Sequence, residues 1–159
     1  MGLLLTDYRS VHRERVAGAD GDYEIDVTAR FNALNMNFLV LVECKHHKSP
    51  IKRELIQALH SKVQSAGAHK GALFSTSGFQ SGALEFASAH GIATVQVVDG
   101  RSTYFTRSFG PPVEPPAWTN IPAVAGWLIA GDRHSLVSAG HGEYLREALG
   151  LSVPKPPES

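Results

Sequence analysis

Asp26 and the triplet Glu43-Cys44-Lys45 are the residues of this chain whose types and spacing can do chemistry. Two carboxylates and one ammonium form a set that can hydrolyse a phosphodiester with a hard divalent cation. Such a cation takes oxygen ligands and keeps several waters. It lowers the pKa of a bound water and stabilises charge on phosphoryl oxygens. Asp26 and Glu43 can each offer a carboxylate oxygen, and the Cys44 backbone carbonyl a third. Lys45 can position the attacking water or stabilise the developing anion. Mg²⁺ suits this donor set, and Mn²⁺ can substitute. An isolated Glu-x-Lys more often marks a buried salt bridge that serves only the fold, so the elements around it decide.

Both acids fall at the ends of strand-like segments. Residues 9–16 and 23–31 read as two strands, joined by a Gly/Asp turn at 17–22. Side chains at i and i+2 share a sheet face, which predicts Glu24 and Asp26 on one face and Glu43 and Lys45 on one face. Residues 37–44 are almost wholly apolar until Glu43, the pattern of a central strand buried on both sides. Charges at the end of such a strand are costly unless paired or metal-bound. Alternation turns the Cys44 side chain away from Glu43 and Lys45, which argues against a thiol nucleophile.

Helices follow. Ser49-Pro50 has the form of an N-cap with proline at the first helical position. Ile51, Leu55, Ile56, Leu59 and Val63 then form an apolar stripe, and Gly67 ends it. Residues 71–75 read as a short buried strand, 76–79 as a turn with Ser77 as N-cap, and 80–90 as a second helix capped by Gly91. Residues 92–98 form a further strand. The predicted order is β-β-β-α-β-α-β, an α/β mixed sheet with helices packed on it.

Eight of the nine prolines lie after residue 110, and 110–116 reads Gly-Pro-Pro-Val-Glu-Pro-Pro. A compact unit over 1–108 is therefore expected, with 109–159 as a Pro-rich extension carrying a short helix at 142–149. Trp118, Trp127, Leu128 and Ile129 suggest that this tail docks on its own domain or on a second chain.

The chain has 159 residues, with 15 Lys plus Arg against 15 Asp plus Glu. Neutrality speaks against a generically basic nucleic-acid coat, but the charge is segregated. Asp20, Asp22, Glu24 and Asp26 fall together, whereas residues 45–70 hold six Lys or Arg against one acid, Glu54. Lys48, Lys52 and Arg53 sit at the expected helix start, where free N–H groups favour anions. As a cluster beside Lys45 they suit a salt-dependent, sequence-blind grip on phosphate backbone. Taken singly, each is an ordinary solvated residue, as are Gln57 and Gln64 farther along the helix. His46 and His47 are adjacent on the chain, so on a strand they cannot chelate together. A single cysteine leaves no internal disulfide and fits a reducing cytoplasm. No run approaches a membrane span, and a cytoplasmic location is expected.

The segments Tyr23-Glu-Ile-Asp-Val27, Val40-Leu-Val-Glu-Cys-Lys45, Ser49-Pro50, Gly71 through Thr76-Ser-Gly-Phe79 and Ala87-x-x-His-Gly-Ile92 together resemble the Mrr-like branch of the restriction-endonuclease-like, PD-(D/E)xK nuclease superfamily. The resemblance covers about residues 9–100. It implies a restriction-endonuclease-like mixed sheet flanked by helices, Mg²⁺-dependent cleavage of DNA, and metal-binding and catalytic roles for Asp26, Glu43 and Lys45. Ile25 stands where the family name has proline. The family often carries a helix bearing a further acid ahead of its first strand; the short stretch before residue 9 leaves either Glu14 or Glu24 as a substitute or a site without that ligand. Cutting both strands of a duplex from so small a domain would need a homodimer or successive nicks. The alternative is a non-catalytic nucleic-acid-binding or interaction module on the same fold. A nucleotide-binding regulatory domain lacks its Gly-rich phosphate loop.

Overall fold

The computed structural model describes residues 6–33, 35–99, 124–138 and 142–150. Within them the order is β1 (Thr6–Gly18), β2 (Gly21–Ala33), β3 (Met36–Lys45), α1 (Arg53–Ser65), β4 (Lys70–Ser75), α2 (Ser81–His90), β5 (Ile92–Asp99), β6 (Val124–Ala130), β7 (Arg133–Val137) and α3 (Glu143–Ala148). All seven strands form one sheet in chain order. β1, β2 and β3 are an antiparallel meander. β3, β4 and β5 run parallel, with α1 and α2 as the crossovers that parallel neighbours require. β6 and β7 return antiparallel. No helix among the described residues is long and apolar enough to cross a membrane.

Two apolar layers flank the sheet, and strand alternation sorts residues between them. Ile25, Leu41, Leu73 and Ile92 meet Ile56, Leu59 and Val63 of α1 and Ala83 and Ala87 of α2. Ala72, Ala93, Val95, Leu128 and Val137 form the opposite layer, on which Leu145 and Ala148 of α3 pack. Ile56 and Leu59 are almost fully buried, and each contributes roughly 2 kcal/mol over an exposed position. Gly91 ends α2 in the left-handed conformation at φ 65°, where glycine escapes the Cβ penalty.

The helix starts differ from those the sequence predicts. α1 begins at Arg53 with Lys52 as N-cap, not at Ser49-Pro50. Ile51 is buried but extended; it forms a parallel bridge with Phe79. Its N–H donates to the Gly78 carbonyl at 2.8 Å, and its carbonyl accepts from the Gln80 N–H at 2.9 Å. Those long-range bonds outweigh the local Ser-Pro signal. α2 begins at Ser81 with Gln80 as N-cap, so Ser77 is not its cap.

Beyond residue 108, where the composition suggested a linker and tail, the sheet continues. β6 pairs with β5 and β7 with β6. The Thr94 hydroxyl, buried on β5, donates to the Ile129 carbonyl on β6 at 2.7 Å. The predicted tail helix is present as α3. The Pro-rich segment 110–116 and Trp118 lie outside the described residues.

Candidate active site

Regular alternation on β3 places Leu39, Leu41, Glu43 and Lys45 on the side of α1 and α2. Glu43 is only 5% exposed. Lys45 Nζ donates to its Oε2 at 3.1 Å, and Lys62 Nζ, from α1, donates to its Oε1 at 2.7 Å. A buried carboxylate without such partners would be strongly unfavourable. Glu43 and Lys45 thus share a face as their spacing predicts. Lys62 was visible in the sequence only as one of the basic residues of 45–70. Its signal is positional: it lies three residues after Leu59 and seven after Leu55, on the edge of the apolar stripe, so its stem tracks the core.

β2 does not alternate regularly. Ile25 packs in the helix-side layer, and Thr28 is paired opposite helix-side Leu41. Residues three apart cannot share a face on a regular strand. The phase therefore slips at Asp26–Val27. The β1–β2 ladder also skips the Arg13–Asp26 pair, and Arg13 adopts φ 53°. The β2–β3 register ends at Val27 and Val42. Just beyond it, Asp26 Oδ2 accepts the Cys44 N–H at 2.7 Å. Asp26 is thereby tied to the peptide that links Glu43 to Cys44.

Past the slip, the β1–β2 hairpin reaches the C-terminal end of α1. The Ala19 N–H donates to the Ser65 carbonyl at 2.9 Å, and Asp20 accepts from the Ser65 and Tyr23 hydroxyls. Those two hydroxyls, Ser65 first, hold the Asp20 carboxyl below its ordinary pKa. A Cβ at Gly18 would collide with Ser65 Oγ and fall 2.8 Å from the Tyr23 ring and 3.0 Å from the Gly21 carbonyl, so the close approach favours glycine there.

The two candidate extra acids have other partners. Glu14 accepts from Arg30 Nη1 and the Thr28 hydroxyl. Those bonds, Arg30 first, hold its carboxyl below the ordinary value. Glu24 is exposed and pairs with Arg13 at 3.0 Å. Among the described residues, no three His, Cys, Asp or Glu side chains gather as a metal cluster. The oxygen donors expected from the sequence are the Asp26 and Glu43 carboxylates and the carbonyl of Cys44, which follows Glu43 in the chain. All three offer oxygen, the donor chemistry that Mg²⁺ takes, and Mg²⁺ commonly uses only one or two carboxylates.

Cys44 is free, and its side chain lies by Phe74 and Val97, off the Glu43 face. Burial raises its thiol pKa, the Asp26 and Glu43 carboxylates raise it further, and Lys45 opposes them. A thiol so held stays protonated at neutral pH.

The Thr76-Ser-Gly-Phe79 turn has a mechanical job. The Thr76 N–H donates to the Lys45 carbonyl at 3.1 Å, and its hydroxyl donates to the His47 carbonyl at 3.4 Å. The Ser77 hydroxyl donates to the Ser49 carbonyl at 2.8 Å. With the two Ile51 bonds, these contacts lash residues 45–51 to the end of β4. Lys48 within that lashed segment and Lys52 just after it remain exposed. Arg53 is exposed too, but its guanidinium lies 5.1 Å over the Phe86 ring. Gln57 is exposed, and Gln64 contacts His60.

The family model Mrr_cat, described as Restriction endonuclease, matches residues 3–102, which contain β1 to β5, both crossover helices and all the residues above. No curated protein matches the chain. A solved structure described as "Crystal Structure of Protein of Unknown Function AF1548" is similar, with 20% identity and a TM-score of 0.47. The match covers 55% of this chain and 48% of that one, so the chain spans about half of that protein's length.

Proposed function

The chain belongs to the Mrr_cat restriction endonuclease family, and from that membership we propose that it is a divalent-cation-dependent endonuclease acting on DNA. The observation that carries this reading is Glu43, buried and held by two lysines, with Asp26 tied to the next peptide. Asp26 and Glu43 would hold Mg²⁺ or Mn²⁺, with the Cys44 carbonyl as a further oxygen. Bound there, the cation would supply an activated water and charge stabilisation at the phosphoryl oxygens.

The chain's own residues divide the remaining work. Lys45 lies on the Glu43 face and offers an ammonium to the charge that develops on the phosphate. Lys48 and Lys52 bind backbone phosphates without reading bases. Arg53 adds charge at the start of α1, where no side chain caps the first N–H groups. The 76–80 turn fixes the segment that carries these lysines.

The test is plasmid cleavage with Mg²⁺ or Mn²⁺, comparing wild type with Lys45→Ala. Loss of cleavage by at least about a hundredfold, with the fold retained, is expected. Equal cleavage by both proteins would sink the mechanism. One observation favours a second reading, a non-catalytic DNA-binding module: both Glu43 oxygens are already paired with lysines, as in a structural salt bridge. Salt-sensitive DNA binding by wild type with no cleavage of any substrate would favour that reading.

A further inference from the structure

We propose that Lys62 is a built-in competitor of the cation for Glu43, so that loading the cation exchanges one positive charge for another. The inference rests on the cation site proposed above and goes beyond it by assigning a role to a residue of α1. The geometry and the charge arithmetic point the same way.

Lys62 makes the shorter of the two lysine contacts to Glu43, 2.7 Å against 3.1 Å for Lys45. Asp26, Glu43, Lys45 and Lys62 sum to zero formal charge. A divalent cation added to all four leaves an excess of two. With Lys62 displaced the excess is one, and a single phosphodiester charge cancels it. Lys45 is poorly suited to be the one that leaves. It sits two residues from Glu43 on the same strand, and its backbone carbonyl is held by the Thr76 N–H. Lys62 approaches from a separate element on a flexible four-carbon stem. Its side chain is 26% exposed against 31% for Lys45, so exposure does not separate the two lysines and the distinction rests on the element each comes from.

The arrangement has a cost and a benefit. Glu43 remains paired whether or not a cation is present, so the buried carboxylate does not threaten the fold. The same pairing weakens cation binding, because the ion pair must be broken first. Lys62 is thus a positioning residue that acts through Glu43.

The experiment measures Mn²⁺ affinity by titration calorimetry, and thermal midpoints with and without Mn²⁺, for wild type, Lys62→Met and Lys62→Arg. Methionine keeps the stem and removes the charge. Lys62→Met is expected to bind Mn²⁺ about tenfold more tightly than wild type. Its midpoint without cation is expected to fall by about 5 °C, and Mn²⁺ should restore it. Lys62→Arg, which keeps the charge, should bind no more tightly than wild type. Equal or weaker binding by folded Lys62→Met would overturn the inference, and so would absence of binding by every variant. If Lys62→Met does not fold alone, refolding driven by Mn²⁺ supports the competition, and failure of Mn²⁺ to rescue it overturns it. Tight binding that survives Glu43→Gln in the Lys62→Met background would place the cation elsewhere and likewise overturn it. None of these readouts uses cleavage. Tight exchange at Glu43 without plasmid cutting would therefore remove the nuclease reading and leave the competition standing.

Discussion

Asp26 Oδ2 accepts the backbone N–H of Cys44 at 2.7 Å, at the point where the β2–β3 ladder has ended. A side-chain oxygen thus stands in for the main-chain partner that a continuing ladder would supply. The contact gives Asp26 a structural role alongside its proposed ligand role, and the two can be separated.

Asp26→Asn keeps an oxygen that can accept the Cys44 N–H, whereas Asp26→Ala leaves that donor without it. Asn is expected to cost under about 1 kcal/mol in stability, and Ala about 1–2 kcal/mol. Both are expected to abolish cleavage, because neither supplies an anionic ligand. Urea denaturation combined with the plasmid assay separates the effects. Unchanged cleavage by Asp26→Asn would remove Asp26 from the ligand set.

Ser77 holds the segment that follows Lys45 through its bond to the Ser49 carbonyl. Ser77→Ala should destabilise the protein by about 1 kcal/mol. It should also speed amide exchange at Ile51, whose N–H is bonded to the neighbouring Gly78 carbonyl. Exchange measured by mass spectrometry over 46–52 reads this directly. Unaltered protection there would mean that the turn does not lash the segment.

Glu14 gives a pH prediction. Its folded pKa lies below the ordinary value of 4.5 because it accepts from Arg30 and Thr28. A carboxyl depressed in the folded state adds stability above its unfolded pKa, and that stability is lost as pH falls through the folded pKa. Wild type should therefore lose stability as pH drops below about 4.5. Glu14→Gln should flatten that dependence and cost about 1 kcal/mol at neutral pH. Parallel acid-limb slopes for the two proteins would contradict the pairing.

Cys44 reports on the carboxylates beside it. Its thiol pKa is raised above 9.0, first by burial and then by Asp26 and Glu43. Iodoacetamide labelling should reach half its maximal rate above that pH, and Asp26→Asn should move the midpoint down. Cys44→Ser should leave cleavage intact. A labelling midpoint below pH 9.0 would contradict the charged surroundings assigned to this strand end.

Gly126 tests whether the sheet extends past residue 108. A Cβ there would fall 2.5 Å from Val95 Cγ1 on the adjacent strand. Gly126→Ala is expected to destabilise the protein by about 1–3 kcal/mol through overpacking. A neutral result in urea denaturation would mean that β6 does not pack on β5 in this way.

Much of the centre was legible because β3 is regular. An apolar run ending in Glu-x-Lys needs only alternation to put Glu43 and Lys45 together. β2 misled because its slip is not written in local periodicity: residues 23–31 read as an even strand, and only pairing with β3 reveals Thr28 on the Ile25 side. The Ser49-Pro50 signal failed for a related reason. The competing partners of Ile51 are Gly78 and Gln80, far along the chain, and no local propensity weighs them. Lys62 needed the docking of α1 on the sheet, which a helical stripe implies without aiming any one ammonium. β6 and β7 follow a proline-dense stretch whose composition reads as a linker, although 124–130 is itself mostly apolar.

The dual role of Asp26 bears on how this protein could change over generations. A descendant that stopped cutting would still be under pressure to keep an acceptor at position 26, because the strand end depends on it. Lys45 has no such second employment at its ammonium beyond its share of Glu43, which Lys62 also holds. Inactivity would therefore be expected to register first as drift at 45, with 26 and 43 lagging behind. In related chains, an intact acid at 26 would record the ancestry of the sheet, and the residue at 45 would be the better guide to whether the chemistry survives.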